Sequence, residues 1–426
     1  MRADRRRLAG AACASALVPT LARTASGPGS PVSGDARGTR ARFAEIDALL
    51  DAFVRAQDAP GAALAVAQRG RLIHARGFGR ADRASGEAVR RDSLFRIASV
   101  SKPFTATAVL QLVDRGTLAL DARVWDLLAL AQPADPRWKR VTVAQLLNHT
   151  GGWDRDRSFD PMFASARIAK ALAVPLPVDA TQTIRYMLGQ PLDFDPGARF
   201  AYSNFGYCLL GRVVERVSGQ AYEQQVRRAI LAPTGIRRMR LGRTSASERA
   251  PGEVAYHVRG NRRIVAVAGD VGAKVEEPYG LWSMEAHDAN GGWLASAPDL
   301  LRFVCALDSP PPAGLLGERS LARMFDPSVR TGRGDPEGAR GQSYGCGWRL
   351  RRPDAGTTID AWHTGHFHGT SALLVRRHDA THWAVLFNGR NGVDGRSLAQ
   401  SIHRPLDDAI GRLGEVRGID LFPELG

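Results

Sequence analysis

The chain has 426 residues, 44% of them hydrophobic and 24% charged, the composition of a globular protein long enough to bury a large core in two lobes or subdomains. Its formal charge of +15 and isoelectric point near 10.5 would permit contact with acidic surfaces. The arginines are nevertheless spread along the whole chain, with no run beyond Arg5-Arg6-Arg7 and no nucleic-acid motif beside them. The charge therefore reads as solvated faces, and no nucleic-acid partner is expected.

Residues 1–25 read as an export signal, with a basic start from Met1 to Arg7 and a small, apolar stretch from Leu8 to Ala22. Arg5-Arg6-Arg7-Leu8 also suits a twin-arginine pathway, and the expected location is periplasmic or secreted. Cys13 is not read as a lipid anchor, because Gly10 stands where a larger aliphatic residue is expected. Residues 26–40 form a Gly/Ser/Pro-containing linker that need not fold. No later apolar run is long enough to cross a membrane, so the mature chain is expected to have no transmembrane span. Beyond the leader, Cys208, Cys305 and Cys346 are odd in number and lack metal-ligand spacing. They are expected as buried, inert thiols rather than a disulfide framework.

From Phe43 the apolar residues Phe43, Ile46, Leu49, Leu50 and Phe53 follow helical spacing. Gly61 to Val66 and Leu72 to Phe78 read as two strands around a turn at Arg69-Gly70. Leu94-Phe95-Arg96-Ile97 is a short strand leading into Ser99, and a helix follows with Phe104, Ala108, Leu112 and Val113 on one stripe. Pro103 sits in its first turn, where a missing backbone donor costs least. Residues 116–285 carry a mainly helical pattern broken by loops, and 245–280 is irregular. Later come a helix over Asp299 to Leu307 and strands at Tyr344–Leu350, Ala361–His363, Ser371–Val375 and Trp383–Asn388. A terminal helix, Leu398 to Leu413, is expected to break at Pro405. The fold class is therefore α/β of the α+β type. An antiparallel sheet flanked by helices is built from both chain ends (41–115 plus 286–415), with 116–285 inserted.

Ser99-Val100-Ser101-Lys102 places a hydroxyl and an amine three residues apart, which brings them to one face at a helix start. Only four of the 58 basic residues are lysines, so an arginine-preferring chain has kept a lysine here. Lysine can be tuned to accept a proton, whereas arginine stays charged. Ser99 needs such a base, since a free hydroxyl is a weak nucleophile. Ser101 lacks a lysine at plus three, where Phe104 stands, and reads as a structural part. Tyr202-Ser203-Asn204 follows about a hundred residues later, and His363-Thr364-Gly365 about a hundred and sixty after that. A tyrosine with an ordinary pKa near 10 is useful only if nearby positive charge favours its phenolate. Lys102 could supply that charge or be the base itself, and the two should titrate as a unit. Asn204 can bond a substrate carbonyl, His363 and Thr364 can bond a substrate carboxylate or the catalytic network, and Gly365 can admit substrate close to the backbone. The earlier His149-Thr150-Gly151 has the wrong order for the third element and reads as a loop bordering the site.

Three motifs in this order resemble the serine β-lactamase-related superfamily, on the branch of class C β-lactamases, D-Ala-D-Ala carboxypeptidases and related esterases. Leu146-Leu147-Asn148-His149-Thr150-Gly151-Gly152 and Gly291-Gly292-Trp293-Leu294 also resemble family segments, and the likeness runs from about 43 to 413. The resemblance implies one β-lactamase/transpeptidase-like catalytic domain with Ser99, Lys102 and Tyr202 catalytic, and no cofactor. Asn204, His363, Thr364 and Gly365 would bind substrate, and the backbone amides of Ser99 and His366 would form the oxyanion hole. Many class C β-lactamases carry lysine where this chain has His363, and histidine is only partly charged near neutral pH. Peptidase or esterase action on D-alanyl peptides or small esters is therefore expected ahead of efficient β-lactam hydrolysis. Two other readings remain: metal-assisted hydrolysis through His363, His366 and His368, and an idle protein of the same fold that binds peptidoglycan.

Overall fold

The computed structural model describes residues 36–310, 313–332, 341–353 and 358–425. The expected export signal lies outside the described residues. A helix, Ala36–Ala56, takes in the end of the stretch expected as a linker, whose earlier part also lies outside them. Alanine and arginine favour helix here, and Ile46, Leu50 and Val54 anchor it by burial.

Among the described residues the strands are β1 (Gly61–Gln68), β2 (Arg71–Gly79), β3 (Phe95–Arg96), β4 (Arg240–Leu241), β5 (Arg263–Val265), β6 (Lys274–Glu276), β7 (Trp293–Ala295), β8 (Val329–Arg330), β9 (Ser343–Tyr344), β10 (Arg349–Arg351), β11 (Asp360–Phe367), β12 (Thr370–Arg376) and β13 (Thr381–Phe387). The main sheet has eight strands in the order β2-β1-β13-β12-β11-β10-β9-β8, all antiparallel. The first strand pairs with the last, Leu64 opposite Val385, so both chain ends build the sheet as expected. Its central strands are buried on both faces, which is why they read as apolar runs without clean alternation. Leu64, Val66, Val385 and Phe387 pack beneath the helices Ala36–Ala56 and Leu398–Gly411 through Ile46, Leu50, Ile402 and Leu406. Ala63, Ala65, Ala384 and Leu386 face a second core that includes Phe104 and Phe303, whose rings stack with centroids 4.0 Å apart.

Several local expectations are corrected. The Tyr344–Leu350 segment is not one strand but the hairpin β9–β10, with Tyr344 opposite Arg349. Gly347, at φ +82, makes its turn in a region that favours glycine. The helix Leu398–Gly411 runs through Pro405 without a break. Pro405 lies on its exposed side while Ile402, Leu406 and Ile410 are buried on either side. That anchoring outweighs the ~3 kcal/mol cost of an interior proline. The irregular 245–280 region contains the small β5–β6 ribbon.

The helix that follows Ser99 is also more enclosed than an amphipathic stripe suggests. The helix Lys102–Asp114 is buried over Lys102 to Leu112, on all its faces. It begins three residues beyond Ser99, which sits in a preceding 3-10 turn, Ala98–Ser101. The strand β3 enters that turn paired to β7, with Phe95 opposite Ala295. Ala98 adopts φ +45, a strained conformation for a residue with a side chain. The turn is held from every side: Ile97 N donates to Trp293 O at 3.0 Å, and Thr370 Oγ1 donates to Arg96 O at 2.9 Å. The Ser101 hydroxyl accepts from Trp293 N at 3.3 Å, a structural use of that serine.

Candidate active site

Ser99, Tyr202, Asn204, His363, Thr364 and His366 all line one cavity of about 860 Å³. Lys102 lies fully buried behind its floor. Its Nζ is 3.0 Å from Ser99 Oγ, 2.7 Å from Asn204 Oδ1 and 2.7 Å from Asn290 O. Two of these partners are carbonyl oxygens, which only accept, so they orient the amine while the Ser99 hydroxyl can face it with either polarity. A buried amine turned toward a serine hydroxyl is the arrangement an activated nucleophile requires.

Asn204 is more committed than a free substrate-binding amide. Its Oδ1 accepts from Lys102, and its Nδ2 donates to Asp160 Oδ2 at 2.6 Å. Asp160 is in turn fixed by accepting from Met162 N at 3.1 Å. The chain Ser99–Lys102–Asn204–Asp160 thus runs from the Ser99 hydroxyl to a cleft-lining carboxylate that sequence reasoning missed. An aspartate in an irregular loop, 44 residues before its partner, leaves no periodic signal.

Tyr202 is positioned by the earlier His-Thr-Gly segment, His149-Thr150-Gly151. The helix Val143–Leu147 starts in a capping box made by Thr142 and Gln145. After it the chain turns at His149, whose φ is +60. His149 O accepts from Ala201 N at 2.9 Å, and its Nδ1 accepts from Ser203 N at 3.2 Å. The residues on both sides of Tyr202 therefore hang on one histidine. The His149 and Tyr202 ring centroids are 4.3 Å apart. Lys102 Nζ lies 4.9 Å from the Tyr202 ring centroid, and the Arg155 guanidinium 4.7 Å from it. Ser203 then caps the helix Asn204–Ser218 by accepting from Gly206 N.

The third motif lies on β11, where the edge beyond Trp362 is no longer covered by β10. His363 Nδ1 faces Thr364 O at 2.7 Å, and Nε2 faces the Tyr344 hydroxyl at 2.9 Å. A carbonyl only accepts, so Nδ1 carries a proton and donates to Thr364 O, while Nε2 and the Tyr344 hydroxyl share the second bond. Burial pushes the Tyr344 phenol well above its ordinary range, so it stays protonated. Gly365 makes room for the turn that carries Ser99. A Cβ there would lie 2.1 Å from Ile97 O, so the glycine serves the protein's own backbone as well as the cleft. The late histidines do not converge: His366 Nε2 bonds Ser397 Oγ at 2.6 Å and His368 Nδ1 bonds Glu277 Oε2 at 2.9 Å, while His363 faces Tyr344. The described residues hold no cluster of His, Cys, Asp or Glu arranged to bind a metal. The three later cysteines are free, and burial pushes the thiols of Cys208, Cys305 and Cys346 up to about 12.

Burial also holds two histidines at the site neutral. Desolvation, then the charge of Lys102, lowers His149 well below 6.5. Desolvation lowers His287 to about 4. In the unfolded chain both take up protons below ~6.5, while the folded chain does not until far lower, so acidification favours unfolding. We expect stability to be full above pH 7 and to fall as pH drops through 6.5, by up to ~1.4 kcal/mol per pH unit for each histidine. Urea midpoints at pH 7.5 and 5.5 measure this, and equal midpoints would contradict it.

A family model described as Beta-lactamase matches residues 46–405. Esterase EstB of Burkholderia gladioli is 33% identical over 317 residues, spanning 72% of this chain and 78% of that protein. Penicillin-binding protein 4 of Amycolatopsis lactamdurans is 35% identical over 256 residues, spanning 59% of this chain and 60% of that protein. The solved structure of D-amino acid amidase from Ochrobactrum anthropi SV3 complexed with L-phenylalanine amide has a TM-score of 0.67 at 21% identity. It covers 87% of this chain and 98% of that one, a likeness of fold.

Proposed function

The chain belongs to the beta-lactamase family and is a serine hydrolase of that fold, and from this premise we propose an exported enzyme that works through an acyl-enzyme on Ser99. The observation that carries the reading is the Ser99 Oγ to Lys102 Nζ distance of 3.0 Å at the floor of the cleft, with Tyr202 against the same lysine. Ser99 Oγ attacks the substrate carbonyl carbon, and its proton passes to the Lys102–Tyr202 pair. The tetrahedral oxyanion is received by the backbone amides of Ser99 and His366, donors that need no reorganisation as charge develops. The intermediate expels its leaving group, which takes the proton from the pair, and leaves Ser99 acylated. Water then attacks the ester and gives up its proton to the same pair. Collapse frees the carboxylic acid and returns the proton to Ser99.

Candidate substrates are D-alanyl peptides, small esters and β-lactams, with peptidoglycan as a candidate partner. Esterase or peptidase turnover is favoured. Histidine at 363 is only partly charged near neutral pH, where many class C β-lactamases have the fixed charge of a lysine. The relatives named esterase and penicillin-binding protein point the same way. Parallel rates on short p-nitrophenyl esters, a D-Ala-D-Ala peptide and a chromogenic cephalosporin test the order. The expected result is turnover of an ester or the peptide faster than of the cephalosporin. Inertness to every substrate and to a fluorophosphonate, with tight peptidoglycan binding, would instead support the idle binding protein.

A further inference from the structure

The Asn204 amide sits between the Lys102 amine and the Asp160 carboxylate. Its Oδ1 accepts from Lys102 Nζ at 2.7 Å, and its Nδ2 donates to Asp160 Oδ2 at 2.6 Å. The two ends of an amide differ little in size, so turning it end for end meets little steric resistance. Hydrogen-bond polarity decides which end faces which neighbour. Asp160 makes that decision one-sided, because a carboxylate only accepts and must meet Nδ2, which leaves Oδ1 to face Lys102. The carboxylate is itself fixed: Asp160 Oδ1 accepts from Met162 N at 3.1 Å, at the start of the 3-10 turn Pro161–Phe163.

This orientation sets the polarity at Ser99. A neutral lysine amine has two N–H bonds and one lone pair. Asn204 Oδ1 and Asn290 O are both carbonyl oxygens 2.7 Å from Nζ, and together they take the two N–H bonds. The lone pair is then left on the side of the Ser99 hydroxyl, 3.0 Å away, which is the polarity that draws the proton off Oγ. With the amide reversed, its NH2 would point at the amine and compete for that lone pair, and an N–H would turn toward Oγ instead.

We propose that Asp160 is a positioning residue for the reaction, a polarity lock that acts through Asn204 to keep the Lys102 lone pair on Ser99. The inference rests on the serine-hydrolase reading, in which the Lys102–Tyr202 pair takes the Ser99 proton.

An isosteric substitution separates this role from packing and from charge. In Asp160→Asn, only the oxygen of the new amide can satisfy Met162 N, so its NH2 faces Asn204 and requires Oδ1 there, the reverse of the native arrangement. In Asp160→Ala neither end is required. Labelling of Ser99 by a fluorophosphonate, followed by intact mass, gives a second-order rate for each variant of the full chain. D160A should be slower than the wild type on the order of tenfold, and D160N on the order of 100-fold, so the shape-preserving variant is the worse of the two. A packing role predicts the opposite order, and a role of the charge alone predicts equal losses. Thermal melts of both variants should run against the rates, because D160A leaves Met162 N without its acceptor and still labels faster. The second readout is the Asn204→Ala background, where there is no amide to orient. There D160N should change the rate by less than about twofold, whereas a carboxylate acting through space would still be felt. D160N labelling as fast as D160A, or costing as much in N204A as in the native background, overturns the lock. A wild type that takes up no phosphonate overturns the hydrolase reading and this inference with it; a labelled wild type with D160N unimpaired overturns this inference alone.

Discussion

Replacing Ser99 by alanine is expected to lower kcat/KM on any accepted ester by at least ~1000-fold, because the step it removes is the formation of the covalent intermediate itself. Ser101, two residues on, cannot substitute. Ser101 is fully buried, and its oxygen accepts from Trp293 N, so it neither reaches the cleft nor faces Lys102. Lys102→Ala should come close to the same loss, since it removes the amine 3.0 Å from Ser99 Oγ and leaves Asn204 Oδ1 and Asn290 O without their donor. Because the two residues act as a unit, the double variant should be little worse than either single one. Intact mass after fluorophosphonate treatment gives the direct check: one adduct on the wild type and none on S99A. Full activity in S99A would remove Ser99 from the mechanism.

Gly365→Ala is expected to damage both folding and catalysis, although no atom of residue 365 need touch substrate. The added methyl would sit 2.1 Å from Ile97 O, 3.1 Å from Ile97 C and 3.3 Å from Ala98 Cβ. All three belong to the turn that presents Ser99, and Ala98 is already strained at φ +45. Either β11 or the turn must retreat by about an ångström. Overpacking of this kind costs about 1–3 kcal/mol, and a displacement of that size at a reacting group can cost on the order of 100-fold in rate. Gly206→Ala is the matched control beside the same site. Its Cβ would meet nothing nearer than 3.7 Å in a helix, so stability should hold or rise. A thermal melt and steady-state rates on both variants settle the contrast, and wild-type stability and rate in G365A would refute the close packing.

Much of this molecule was legible in one dimension. The β1–β2 hairpin, the helix after Ser99 and the late strands β11 to β13 announced themselves through apolar runs and turn residues. The three motifs did so through residue chemistry at a recognisable order. What escaped were features with no local signal. Asp160 reaches Asn204 across a loop, and His149 holds the backbone of Ala201 and Ser203 from another segment. The helix through Pro405 shows the opposite failure, where a strong local signal lost to burial on both sides.

By itself, the sequence determined which atoms are available for chemistry: a serine, a lysine in an arginine-rich chain, a tyrosine, and their order along the strand and helix pattern. Those follow from side-chain identity and local spacing, which need no knowledge of the rest of the chain. Only the tertiary structure decided what each one faces. It spent the Asn204 amide on Lys102 and Asp160, and turned Gly365 toward Ile97. It also brought Arg155 and Arg390, from distant parts of the chain, into the lining of one cleft. Hydrogen bonds, close packing and Coulomb interactions act over a few ångströms in space, and residues far apart in the chain meet at that range only once the sheet has closed its two ends together.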